Sequence, residues 1–349
     1  MITFEFFGRA HGEGYGGKIY GLPKGATFSV DYVNEQLKLR KCGAGRSDRQ
    51  QYDDVVTFSG SLHTDTVTVG DGCLEFSVAN RVVENRPEIT ALRSGHIDLV
   101  GQARYNAGAR ELNEIASARS SVCYVVLGAI CKQILAERNV YTYHYTERIG
   151  GVTSRNRYRF GVSEKEEHFA AVHCPCRYAT KLILEKIEQA RASGDSLGGT
   201  AVVGATGVPM GVGEALPYAD RLDAVISANL MGIPSVKGVA FGLGDKYSTL
   251  TGRECADKLA VENDKIVYAT NNCGGIVAGI TTGQDILCRL TVKPVPTVKG
   301  IETVDSVTRR SVLQHCERAD TCVVPNVGVI AENILAYVLL NQLLKQGKI

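Results

Sequence analysis

Segments with strand character follow one another along this chain without a regular strand–helix–strand rhythm, and that order constrains the fold more than any other feature. Short alternating or apolar runs at 18–20, 55–59, 72–78, 200–205, 235–241, 266–269 and 286–292 read as strands. Helical patterns are fewer and longer. They cover 30–40, opened by Ser29 and Asp31, then 114–136, 178–193, 222–231 and 327–345. In 114–136 the apolar residues Ile115, Val122, Val126, Ile130 and Ile134 recur at helical spacing, and 327–345 carries Ile330, Ile334, Val338 and Leu339 on one side. This order implies an α+β fold of antiparallel sheets covered by helices. A doubly wound dinucleotide fold lacks its fingerprint, because Gly12-Glu13-Gly14 follows no strand-to-helix turn of the required kind. No low-complexity linker or run of like charge marks a boundary, so residues 1–349 are expected to form a single domain.

The 39 basic and 37 acidic residues nearly cancel. No global field therefore favours nucleic acid or an anionic membrane as a partner, and anion binding must come from local clusters. Eleven scattered cysteines read as reduced thiols rather than a disulfide framework. Cys174-Pro175-Cys176 has no second pair at zinc-finger spacing and reads as structural. The first ten residues show no secretory pattern, and no apolar stretch reaches the roughly 18 residues that suggest a membrane span. The expectation is a soluble, cytoplasmic protein.

Two histidines sit in glycine-punctuated loops: Gly8-Arg9-Ala10-His11-Gly12 and Arg93-Ser94-Gly95-His96-Ile97-Asp98. Imidazole exchanges protons near neutral pH, so both are candidate acid–base groups. Gly194-Asp195-Ser196-Leu197-Gly198-Gly199, Asn271-Asn272-Cys273-Gly274-Gly275-Ile276 and Lys293-Pro294-Val295-Pro296-Thr297 are too polar or too turn-rich for core. Glycine-rich backbone beside Lys, Ser and Thr suits a phosphate, although each segment taken alone reads as an ordinary tight turn. Arg40, Lys41 and Arg46 flank Gly43-Ala44-Gly45, Arg119 follows Ser117-Ala118, and Arg318 stands two residues before Asp320. Guanidinium groups donate paired hydrogen bonds to phosphate and carboxylate. The residues alone point to an enzyme that binds a phosphorylated anion, with His11 and His96 as proton donors.

In order along the chain, these segments resemble the chorismate synthase family. Its Gly-Glu-Ser-His-Gly element and following Ile-x-Gly-x-Pro-x-Gly turn are met by Gly8 to Gly12 and Ile19 to Gly25. Its Arg-Pro-Gly-His-Ala-Asp-Leu stretch is met by Arg93 to Leu99, and its Ser-Ala-Arg element by Ser117-Ala118-Arg119. Gly194 to Gly199, Lys237 to Val239, Asn271 to Ile276, Lys293 to Thr297 and Glu317 to Pro325 match later elements in sequence. The resemblance implies a β-α-β sandwich of antiparallel sheets and helices, typically a homotetramer. It also implies anti 1,4-elimination of phosphate from 5-enolpyruvylshikimate 3-phosphate, using reduced FMN without net redox change. Carried over by position, His11 would protonate the departing phosphate. His96 would maintain the reduced flavin, and Asp320 would help shuttle the ring proton through flavin N5. Arg40, Arg46 and Arg119 would bind substrate anions, or the nicotinamide cofactor NADPH in members that reduce their own flavin. Ala116, Ser117, Pro234, Ser235, Ala278, Lys293, Pro294, Val295, Pro296, Thr297 and Arg318 fall where the family holds FMN.

This chain departs from the pattern in several places. Arg9 and Ala10 replace the glutamate and serine before the first histidine, Ile115 replaces an arginine of the FMN stretch, and Ser120 replaces an acid. The alternatives are a paralogue eliminating phosphate from a related ring, a non-catalytic homologue that binds flavin or anions, and a flavin reductase. Retention of both histidines with Asp320 argues against a pure binding protein.

Overall fold

The last helix, Val324–Lys345, is apolar on nearly every face, with Val324, Val329, Leu335, Ala336, Leu339 and Leu340 wholly buried. Such a helix is stable only when surrounded. At 22 residues it is long and apolar enough to cross a membrane, contrary to the expectation from sequence, as is the helical stretch Ala109–Ala136. Both answer the need for a core: most of the last helix is buried within the protein. It starts earlier than its apolar pattern because Pro325 sits in the first turn, where a missing N–H costs no hydrogen bond.

The computed structural model describes residues 1–10, 12–47, 54–59, 65–79, 89–156, 158, 160–314 and 319–349. The last helix lies across strands Tyr141–Ile149 and Gly199–Thr206 of a five-stranded antiparallel sheet. That sheet runs in the order Val236–Phe241, Ile286–Val292, Gly199–Thr206, Tyr141–Ile149, Val152–Thr153. The side of the last helix turned away from that sheet meets helix Ser121–Ala136, which in turn packs on strand Gly14–Tyr20 of a four-stranded antiparallel sheet. The second sheet is ordered Thr3–Gly8, Gly14–Tyr20, Cys73–Ala79, Val56–Phe58. Helix Val30–Lys41, capped by the Ser29 hydroxyl, packs against both central helices. The result is α+β: two antiparallel sheets enclosing a helical layer.

The two central helices cross at Gly128, where a Cβ would lie 2.2 Å from the Asn333 carbonyl oxygen. Only glycine permits that approach. Between the same helices lies a buried ionic cluster. Lys132 pairs with Glu332, which also accepts from His144 Nδ1, and His144 Nε2 meets His173 Nδ1 at 2.8 Å. Lys132 Nζ also donates to Gln36 Oε1 at 3.0 Å.

The expected helix over 114–136 is broken. Helix Ala109–Ile115 ends, Ala116 and Ser117 leave helical geometry, and after one turn of 3₁₀ helix (Ala118–Ser120) helix Ser121–Ala136 begins. The Ser117 hydroxyl accepts from Arg119 N at 3.3 Å, a local bond that competes with helix continuation.

Candidate active site

Gly95 adopts φ 75°, a turn that a residue with a Cβ rarely takes, and sets His96 just ahead of helix Asp98–Tyr105. His96 Nδ1 meets Asp98 Oδ1 at 3.0 Å. A carboxylate only accepts, so Nδ1 carries a proton, which in the neutral ring leaves the lone pair on Nε2. Asp98 is fully buried and gripped by Arg93, whose Nε and Nη2 fork onto its two oxygens at 2.8 and 2.6 Å, while Arg93 N adds a third bond at 2.8 Å. Burial opposes ionisation of Asp98. Hydrogen bonds from His96 and Arg93 outweigh it and hold the carboxyl well below the usual range. A permanently ionised acid thus fixes the tautomer and orientation of His96.

A second charged pair closes the site. Arg46 Nη1 donates to Asp320 Oδ2 at 2.7 Å, and Ser47 N donates to Asp320 Oδ1 at 2.8 Å. Arg40, at the end of helix Val30–Lys41, donates to Asp54 at 2.5 Å and to Ser121 Oγ at 3.2 Å. Asn326 Nδ2 grips the Arg40 and Cys42 carbonyls, each at 2.8 Å, and so ties the arginine loop to the last helix. Arg119 Nη1 donates to the Ala10 carbonyl at 2.5 Å, which anchors the residue before His11. Burial lowers the Arg46 pKa, and neighbouring Arg40 and Arg119 add to that against the attraction of Asp320.

Arg40, Arg46, Arg93, His96, Arg119 and Asp320 line one cavity of about 660 Å³, within the roughly 300–1,000 Å³ usual for small-molecule sites. Its walls hold the expected residues His96, Asp320, Arg40, Arg46, Arg119, Ala116, Ser117, Pro234, Ser235, Lys293, Val295, Pro296 and Thr297. The break before helix Ser121–Ala136 brings Ala116, Ser117 and Arg119 to the wall. Arg93 and Arg110 add further cations, and Ile97, Val100, Ile233, Val327 and Ile330 supply apolar surface. Arg40 Nε and Arg46 Nε are buried and find no hydrogen-bond partner among the described residues. Buried donors of that kind call for an acceptor. A cationic wall with unpaired donors beside apolar surface fits a molecule that joins phosphate to a flat ring system, as FMN does, and equally a phosphorylated ring substrate.

Some expected residues stand elsewhere. His11 and Arg318 lie outside the described residues. Ala278 occupies an exposed turn between strands Ile276–Val277 and Ile280–Thr281, and Pro294 is exposed beside Gly198; neither lines this cavity. The Gly194 to Gly199 and Asn271 to Ile276 segments are supporting turns rather than cavity wall. Ser196 Oγ donates to the Val295 carbonyl at 2.6 Å, and Asn271 Oδ1 accepts from Gly275 N at 2.7 Å. Sequence reasoning assigned no role to Arg93, Asp98, Asp54 or Asn326. Asp98 was detectable, as an acid two residues after a loop histidine. Asp54 and Asn326 carry no local signal, since only the fold brings them to Arg40.

The profile of the family described as chorismate synthase matches residues 2–344. The chain belongs to the chorismate synthase family. A chorismate synthase of Carboxydothermus hydrogenoformans is 33% identical over 363 residues, covering 99% of this chain and 94% of that protein. One of Exiguobacterium sp. is 32% identical, covering 95% and 90%. A solved structure titled as the crystal structure of chorismate synthase superposes with TM-score 0.77 and 25% identity, covering 99% of this chain and 92% of that one. Against the chorismate synthase pattern, Ile115 ends its helix half-exposed, and the Ser120 hydroxyl turns back to the Ser117 carbonyl at 2.9 Å. Neither replaces the charge that it displaces.

Proposed function

We propose that this chain, acting as one domain, catalyses the reaction of the chorismate synthase family: anti 1,4-elimination of phosphate from 5-enolpyruvylshikimate 3-phosphate to give chorismate, in the shikimate pathway. The observation that carries this reading is a single cavity in which an oriented histidine, His96 with Asp98, faces arginines with unpaired buried donors and the Arg46–Asp320 pair. Arg40, Arg46 and Arg119 bind the substrate's anionic groups. His11 protonates the departing phosphate, its loop anchored by Arg119 through Ala10. Asp320, held by Arg46 Nη1 at 2.7 Å, helps to shuttle the ring proton. His96, its Nδ1 held by Asp98, would help to maintain the reduced state of the flavin.

Ala116, Ser117, Pro234, Ser235, Lys293, Val295, Pro296, Thr297 and Arg318 would hold reduced FMN, and Ala278 and Pro294, which lie off the cavity wall, are left out of that set. Reduced FMN, when bound, supplies electron density as the phosphate leaves and recovers it afterwards. We further propose a cytoplasmic homotetramer, with NADPH as the reductant where the protein regenerates its own flavin.

Flavin affinity tests this reading. Ile115 and Ala116 stand where relatives carry arginine and serine. A hydrogen bond to a charged group contributes roughly 1.5–3 kcal/mol, a change of about tenfold to hundredfold in affinity. Titration by flavin fluorescence should show weak FMN binding to the protein alone, tightened by the phosphorylated substrate. Failure to bind under either condition would favour a non-catalytic homologue.

A further inference from the structure

Gln314 follows strand Ser311–Leu313 and is buried beside the cavity without entering it. Its side-chain amide is almost fully used. Oε1 accepts from Ser94 N at 2.8 Å, and Nε2 donates to the Pro296 and Val298 carbonyls at 2.9 and 3.0 Å. Its own backbone N donates to the Ile301 carbonyl at 2.8 Å, which fixes where the side chain starts. The amide therefore joins two separate loops that both face the cavity: Ser94 belongs to the turn that presents His96, and Pro296 to the turn after Lys293.

A second bond between these loops runs from Lys293 Nζ to the Gly95 carbonyl, 2.8 Å and exposed to water. An exposed bond exchanges readily with solvent, whereas a buried amide with three good bonds cannot rearrange without leaving polar groups unpaired. A glutamine is the side chain this position requires. It offers an acceptor on one side and two donors on the other, which neither a carboxylate nor an apolar side chain can supply.

We infer that Gln314 is a positioning residue for the elimination, holding the His96 turn at a fixed distance from the Pro296 wall of the cofactor-binding region. The activity arm of this inference rests on the function proposed above, whereas the His96 arm does not. A misplacement of about 1 Å costs as much as 100-fold in rate.

The decisive variant is Gln314→Glu, which keeps the size and the acceptor but replaces both donors with oxygens facing two carbonyls. Three quantities are measured on purified full-length protein: melting temperature, the imidazole ¹⁵N signals of His96 assigned against His96→Asn, and turnover as a function of pH. Expected is a folded variant whose His96 signals are shifted or broadened and whose kcat falls about 10- to 100-fold at neutral pH. The ratio of variant to wild-type kcat should rise as pH falls, because the protonated carboxyl regains one donor. Gln314→Leu should show the same loss without that recovery. Unaltered His96 signals and wild-type kcat in folded Gln314→Glu would overturn the inference. So would a loss that does not recover on acidification. If wild-type protein fails to turn over the substrate, the proposed function falls, and the His96 signals alone decide whether Gln314 positions that loop.

Discussion

Asp98→Asn is expected to lower turnover by roughly 100- to 10,000-fold, as loss of a correctly protonated catalytic group does, while His96 remains in place. The carboxylate accepts from His96 Nδ1 at 3.0 Å and so, in the neutral ring, keeps the lone pair on Nε2. An amide can donate to Nδ1 instead, which moves the proton to Nε2 and reverses what the ring presents. His96→Ala should fall in the same range, and the double variant should fall little further, because the two side chains act as one unit. Steady-state rates of the three variants test this. Additive losses would separate Asp98 from His96. Asp98→Asn should also lose stability, because Arg93 keeps its buried guanidinium without a charged partner.

The largest expected effect on stability is at Glu332→Gln. Burial opposes ionisation of Glu332, but Lys132 and then His144 overcome it and bring the carboxyl down to about 2. Removing that charge leaves Lys132 buried beside a neutral amide, and breaking a buried pair from one side typically costs about 3–5 kcal/mol. Denaturant unfolding at neutral pH measures it. The same groups set the acid limb of stability. The folded Glu332 carboxyl refuses protons that the unfolded chain takes up near pH 4, so its contribution is present above that pH and lost as pH falls toward about 2. His173, driven down to about 3 by burial and by His144, is neutral in the fold. Its contribution is full above about 6.5 and lost between there and about 3. Glu332→Gln should therefore flatten the Glu332 part of the acid limb and draw the His173 part to still lower pH, because the Glu332 charge counters the depression of His173. Wild-type stability in this variant would mean that the pair adds nothing.

Most strands inside the five-stranded sheet were readable, because Gly199–Thr206 and Ile286–Val292 are apolar runs with turns at both ends. Tyr141–Ile149, their neighbour, was not. Its inward residues are Thr142, His144 and Thr146, polar groups that face the ionic cluster of the last helix, so apolar alternation is missing where the strand is most buried. Gly14–Tyr20 was seen only in its last three residues, because glycine hides strand character until Phe6 and Phe7 are found packed over Gly17 and Gly16. The site was legible wherever chemistry and motif share a short segment, as in Arg93 to Asp98. It was illegible wherever a residue acts across the fold. Gln314 lies 220 positions from Ser94, and no spacing rule joins them.

Anaerobic incubation of the purified protein with reduced FMN and 5-enolpyruvylshikimate 3-phosphate, with chorismate and inorganic phosphate measured together, tests the central claim most directly. The account predicts equal amounts of both products, formed catalytically, no net oxidation of the flavin, and their near disappearance in Asp98→Asn. Absence of chorismate with flavin demonstrably bound, or equal turnover in the folded Asp98→Asn variant, would contradict it.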